Sequence, residues 1–166
     1  MKTKSKITPC LWFDGTAEEA AEFYVSIFKN SRITDIARYT EAGKEQHGQQ
    51  PGSVMVVAFE LDGQSFTGLN GGPTFKFSEA ISFQIDCDTQ EEVDHFWNHL
   101  TKGGPVEAQQ CGWVKDRFGV SWQVVPSILQ ELISDPDRDK ANRAMAAMLS
   151  MKKLDIAALK KAHAGT

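Results

Sequence analysis

The sequence predicts an α+β fold built from two βαβββ modules and closed by a helical tail. Three observations predict it. First, the chain repeats itself: Thr16, Glu18-Glu19, Phe23-Tyr24 and Ile27 recur in the same order and spacing as Thr89, Glu91-Glu92, Phe96-Trp97 and Leu100. With one residue gapped, Leu11, Phe13 and Asp14 likewise align with Phe83, Ile85 and Asp86. Second, each copy carries a Thr-x-x-Glu capping box followed by apolar residues at helical spacing. Third, each copy then changes to short β-rich runs joined by glycine-bearing turns.

The elements follow in order. Residues 7–13 read as a strand, and Thr16 with Glu19 starts a helix whose apolar face is Ala20, Phe23, Tyr24 and Ile27. Residues 32–39 read as a strand, and a polar loop, EAGKEQHGQQPG, follows. Residues 54–61 are β-branched and aromatic, Asp62-Gly63 signals a type I′ hairpin, and residues 65–69 return. GGPTFKFSE, residues 71–79, reads as a linker. The second copy opens with a strand at 80–85 and a helix capped by Thr89 and Glu92, with Val93, Phe96, Trp97 and Leu100 inward. Residues 106–109 and 112–115 read as strands, DRFG as a turn, and 120–125 as the returning strand. Gly63 then matches Gly119, Ser65 matches Ser121, Phe66 matches Trp122 and Thr67 matches Gln123.

One face of each sheet would stay wet if a module stood alone, so the modules are expected to pair around a concave pocket. Residues 5–126 are expected to form a single domain of two modules, about 5–70 and 79–126, with 127–166 as a C-terminal helical extension. In the extension Asp135-Pro136 is read as a helix start. Ala141, Met145, Met148 and Leu149 form its apolar stripe, and a further helix begins near Asp155 with Ile156 and Leu159. The extension is read as a packing element or a dimer contact.

Composition narrows the function classes. The 166 residues carry 18 basic and 22 acidic side chains, a net charge of −4, which disfavours a domain that grips nucleic acid. No purely apolar run is longer than that of residues 54–59, far short of the roughly 20 residues a bilayer needs. The basic MKTKSK start is followed by too short an apolar run for a signal peptide, and the odd, scattered Cys10, Cys87 and Cys111 indicate neither a disulfide framework nor a zinc knuckle. A cytoplasmic protein with reduced thiols is expected.

Pro9-Cys-Leu-Trp-Phe-Asp-Gly, Ala17-Glu-Glu-Ala with Phe23-Tyr24, and Cys111-Gly-Trp-Val-Lys-Asp-Arg-Phe-Gly-Val-Ser-Trp-Gln-Val-Val-Pro126 carry a family resemblance. With them the chain resembles the PhnB-like branch of the vicinal-oxygen-chelate superfamily, which bears the label 3-demethylubiquinone-9 3-methyltransferase domain. The resemblance covers residues 5–126, and the tail is also similar to the branch. It implies the glyoxalase/bleomycin resistance/dihydroxybiphenyl dioxygenase fold, a U-shaped mixed sheet around a ligand cavity, and commonly a homodimer. Superfamily members hold one divalent metal through His and Glu side chains on the first and last strands of each module, and the metal acts as a Lewis acid. Carried onto this chain, those positions fall on Thr8 or Pro9, on Ala80 or Ile81, near Thr67 and on Gln123. None is a good divalent-metal ligand. No metal site and no cofactor are therefore expected. The methyltransferase label gains no support either: there is no strand–GxG–helix segment, and Gly71-Gly72 runs into Pro73 in the linker.

The expectation is a small-molecule-binding protein with no catalytic residues assigned. Thr67 and Gln123 lie on the face where the resemblance places the ligand, while Phe66 and Trp122, of opposite parity, support the core under the helices. Trp12 and Trp113 are candidates for stacking on a flat ligand, and Arg38, Lys115 and Asn70 for fixing a polar group at the rim. The alternative is a lyase, isomerase or dioxygenase holding one divalent metal ion through His47 or Glu60. His95 and His99 stand one helical turn apart, but HFWNH lacks the glutamate of a hydrolase signature, and the pair faces solvent.

Overall fold

Alanines decide how the first helix meets its sheet. In the computed structural model, which describes residues 5–166, α1 (Ala17–Ile27) buries Ala17, Ala20, Ala21, Tyr24 and Ile27. Beneath it lie Leu11 and Phe13 of β1 (Cys10–Phe13), Val57, Phe59 and Leu61 of β3 (Val54–Leu61) and Phe66 of β4 (Gln64–Asn70). Tyr24 stacks on Phe59, and Phe59 on Phe66 with centroids 5.5 Å apart, so the aromatic residues of one strand parity form the core. With β2 (Arg32–Arg38) the strands order β1-β4-β3-β2. β1 runs parallel to β4, and the other pairs are antiparallel. Asp62 and Gly63 both have positive φ, as a type I′ turn requires. The polar loop contains a four-residue helix, α2 (Lys44–His47). These elements belong to a first compact unit that ends at Lys76.

The second unit spans Phe77–Thr166. Its sheet has three strands, β5 (Phe83–Cys87), β6 (Trp113–Lys115) and β7 (Ser121–Pro126), in the order β5-β7-β6. β5 is parallel to β7, and β6 is antiparallel to it. α3 (Gln90–Leu100) buries Val93, Trp97 and Leu100 on this sheet. Trp122 is buried as its parity predicts, and its Nε1 donates to Asp116 Oδ2 at 2.8 Å.

Several boundaries differ from the sequence reading. Residues 106–108 form a 3-10 turn after Pro105 instead of a strand, leaving only an isolated bridge between Gln110 and Trp113. β5 begins at Phe83, so Ala80 and Ile81 precede it and are exposed. The long helix of the extension, α5 (Arg138–Ser150), is capped by Asp137, not Asp135. Asp135 instead accepts the Asp137 N–H and pairs with His163. The buried line of α5 is Ala141 and Ala144, while Leu149 is exposed. α4 (Leu129–Ile133) and α6 (Ile156–Ala164), the latter capped by Asp155, complete a small apolar core of Leu129, Leu132, Ala144, Leu154 and Leu159. Cys111 and Gly112 donate to the carbonyls of Met151 and Lys152, which ties the extension to the strand side of its own unit. No helix among the described residues is long and apolar enough to cross a membrane.

Candidate functional site

Strand alternation leaves one face of each sheet uncovered by its helix. On the first sheet that face carries Cys10 and Trp12, Ala58 and Glu60, and Ser65 and Thr67. In register, Thr67 stands between Cys10 on β1 and Ala58 on β3, and Ser65 stands opposite Glu60. A cleft of about 930 Å³ lies here, with Thr8, Arg32, Thr34, Glu60, Ser65 and Thr67 among its lining. Arg32 Nε and Glu60 Oε2 pair at 3.1 Å, so the cleft's arginine is balanced by its own carboxylate. The hydroxyls of Thr8, Thr34, Ser65 and Thr67 serve no internal hydrogen bond among the described residues, and they remain available to a ligand. Sequence reasoning had Thr67 but missed Ser65 and Thr34. Extending the strand parity from Thr67 along β4 would have found Ser65.

On the second sheet Gln123 stands between Gln84 of β5 and Trp113 of β6. Its Nε2 donates to Ser82 Oγ at 2.8 Å. Lys115, opposite Ser121 in register, forms an ion pair with Glu79. The hydrogen bond from Lys115 holds the Glu79 carboxyl below the usual range. Ser121 Oγ is buried and has no hydrogen-bond partner among the described residues.

These registers settle two faces that sequence left open: Trp12 shares the face of Thr67, and Trp113 that of Gln123. Trp12 is also partly committed. Its Nε1 donates to the Gly72 carbonyl at 2.8 Å and its ring meets Phe75 edge-on. A Cβ at Gly71 would lie 2.2 Å from the ring, so only glycine fits there. Two other candidates sit elsewhere. Arg38 is exposed and donates to the Gly52 carbonyl. Asn70 is buried on the helix side, where Oδ1 caps α1 by accepting the Ala17 N–H at 2.9 Å and Nδ2 donates to Val54. Thr16 makes no side-chain cap, and Asn70 instead satisfies the first N–H of the helix, that of Ala17.

The donor set can be compared with the metal chemistry that the resemblance implies. Beside Thr67 stand Thr8 and Cys10, and beside Gln123 stand Ser82 and Gln84. These are hydroxyls, amides and a thiol whose pKa partial burial pushes up, away from the thiolate that binds metal. They do not fit a centre built from imidazole and carboxylate. Among the described residues no group of three or more His, Cys, Asp or Glu side chains is placed to hold a metal ion. Both ring nitrogens of His47 are engaged within its own loop, by Ala42 and Gln49.

Comparison with known proteins now identifies the lineage. Residues 5–125 match the family model described as 3-demethylubiquinone-9 3-methyltransferase. The chain belongs to that family. A solved structure from Bacillus cereus, described as a putative 3-demethylubiquinone-9 3-methyltransferase, PhnB protein, is 35% identical, over 74% of this chain and 99% of that one, with a TM-score of 0.64. A Staphylococcus aureus protein is 29% identical over 73% of this chain and 95% of its own, with a TM-score of 0.33. Protein PA1353 from Pseudomonas aeruginosa is 19% identical over 74% and 98%, with a TM-score of 0.55, a likeness of fold. No match was found among curated proteins. The three C-terminal helices lie beyond the residues the family model matches.

Proposed function

We propose that this PhnB-family protein binds a small molecule on the open face of its first sheet, without the divalent metal of its superfamily. Thr67 supplies a hydrogen bond at the floor of the cleft, and Trp12, on the same sheet face but outside the cleft lining, is the aromatic surface for a ligand that extends along β1. The row of Gln123 and Trp113 on the second sheet is a second ligand-facing surface. One observation carries the reading: the strand positions flanking Thr67 and Gln123 hold hydroxyl, amide and thiol groups, which recognise polar ligands but select against a hard or borderline cation. Free hydroxyls beside apolar wall residues are the usual composition of a ligand cavity. The ligand is sequestered rather than turned over. The protein works as a cytoplasmic homodimer, with no nucleic acid or membrane partner.

The test is metal content together with ligand screening. Tag-free protein, purified without chelator, incubated with excess Mn²⁺ or Zn²⁺ and desalted, is expected to retain far less than one metal per chain. A screen by thermal shift is expected to return ligands whose stabilisation is lost in Thr67→Val. One Fe, Mn, Co or Zn per chain that survives desalting and is lost on substitution of Glu60 overturns the proposal and returns the metal-dependent lyase, isomerase or dioxygenase reading.

A further inference from the structure

The outer side of α3 holds two imidazoles that the ligand site does not use. Val93, Trp97 and Leu100 turn one side of this helix into the core, and His95 and His99 lie exposed on another. Their ring centroids are 4.5 Å apart. A metal about 2.1 Å from each coordinating nitrogen lies roughly 3.2 Å from each ring centre, so two imidazoles at a right angle around it hold their centres about 4.5 Å apart. A tetrahedral angle would need roughly 5.2 Å by the same construction. The observed spacing admits two imidazoles at adjacent corners of a square-planar or octahedral site, the geometry Ni(II) and Cu(II) favour.

A second observation concerns the tautomer. His99 Nδ1 lies 2.7 Å from the backbone carbonyl of His95, so Nδ1 carries the proton and donates it. That leaves the lone pair on Nε2. Metal-ligating histidines are ordinarily held in this way, with the far ring nitrogen donating to a carbonyl or carboxylate. Electrostatics act in the same direction. His99 lies in the last turn of α3, at the negative end of its dipole, and Glu91 stands one turn before His95 on the helix.

We infer that His95 and His99 form a surface chelate for a late transition-metal dication, Ni(II) or Cu(II), whose remaining positions are filled by water. This site is separate from the ligand cleft. Metal bound here reports on α3 and says nothing about the strand positions around Thr67 and Gln123.

Ni²⁺ is the probe, because it does not oxidise the exposed Cys10 thiol. Tag-free protein is titrated with Ni²⁺ by calorimetry, and the imidazole NMR signals are followed alongside. One Ni²⁺ per chain is expected, with the His95 and His99 signals broadening together. His95→Gln and His99→Gln are each expected to weaken binding on the order of 10²-fold, the gain a second tethered ligand supplies. Both side chains are exposed, so unchanged thermal unfolding serves as the control for folding. Equal affinity in the double variant, a loss below about threefold in either single variant, or broadening centred on other residues would each overturn the assignment. Exchangeable Ni²⁺ lost from the double variant supports this site and leaves the ligand proposal intact. Metal that survives desalting in the double variant is bound away from α3 and overturns the ligand proposal, not this site.

Discussion

In the first unit four strands line up as β1-β4-β3-β2 beneath one helix, whereas the second keeps three, β5-β7-β6, and sets a 3-10 turn at residues 106–108 where the fourth would run. The hairpins differ in the same sense. Asp62-Gly63 closes the first in two residues, both adopting positive φ, with the Asp62 N–H donating to Ser31 Oγ and the Gly63 N–H to the Asn30 carbonyl. The second needs the four-residue turn Asp116 to Gly119 and a buried side chain to hold it. Asp116 Oδ1 accepts from Phe118 and Val120, and Oδ2 accepts from Trp122. The module with a full sheet ties its turn only to the neighbouring loop at the surface. A module with a smaller sheet fixes its turn to its core, and in this chain it also gains three helices.

The largest effect expected from this contrast is at the two hairpin aspartates. Asp116→Ala removes the acceptor for three hydrogen bonds, one of them from the buried Trp122 indole, and is expected to cost about 3 kcal/mol or more. Asp62→Ala only places alanine in a left-handed conformation and is expected to cost about 1 kcal/mol. Urea unfolding of both variants checks the ranking. Equal losses would show that the second turn depends on its own backbone as much as the first does.

The helix starts give a smaller effect and a sharper lesson. Thr89 accepts the Glu92 N–H, and Glu92 reaches back to Asp88, so the second capping box forms as written in the sequence. The first does not use its threonine side chain, because Asn70, 53 residues away, caps α1 instead. Asn70→Ala is expected to cost about 2–3 kcal/mol, since it strips two hydrogen bonds on the buried side of the sheet. Thr89→Ala should cost about 1 kcal/mol, and Thr16→Ala less than about 0.5 kcal/mol. Thermal unfolding of the three variants tests this. A loss at Thr16 as large as at Thr89 would mean that the two boxes are equivalent after all.

These residues also show what was legible in advance. The repeat, both long helices of the modules, the Asp62-Gly63 turn and the burial of Phe66 and Trp122 follow from local period and turn chemistry, which a sequence displays directly. So does the face carrying Thr67 and Gln123. Asn70 was not legible as a cap, and Arg38 not as a group tied to Gly52, because each role depends on a partner brought close by folding. The same holds for Trp12, whose position depends on Gly71 and Gly72 in a segment that reads only as a linker. The start of α5 failed for a related reason: Asp135, Pro136 and Asp137 offer two equally plausible caps, and the choice follows from a contact between Asp135 and His163, 28 residues on.

That last contact gives the smallest expected effect, and it belongs to the helices that only the second unit carries. The Asp135 carboxyl is held below its ordinary value, first by the Asp137 N–H and then by His163. A carboxylate whose pKa is depressed by folding contributes stability that is present above the unfolded value near 3.8 and is lost as pH falls through the folded value. Asp135→Asn should therefore be less stable than the parent at pH 5 to 6, and the two should converge as pH drops below 3.8. The pair is half-buried at the surface, and solvent screening keeps the gap small. Chemical unfolding of parent and variant across that range measures it. A gap that persists unchanged into acid would assign the interaction to hydrogen bonding that survives protonation, and would leave the attachment of α6 to the α4–α5 turn independent of charge.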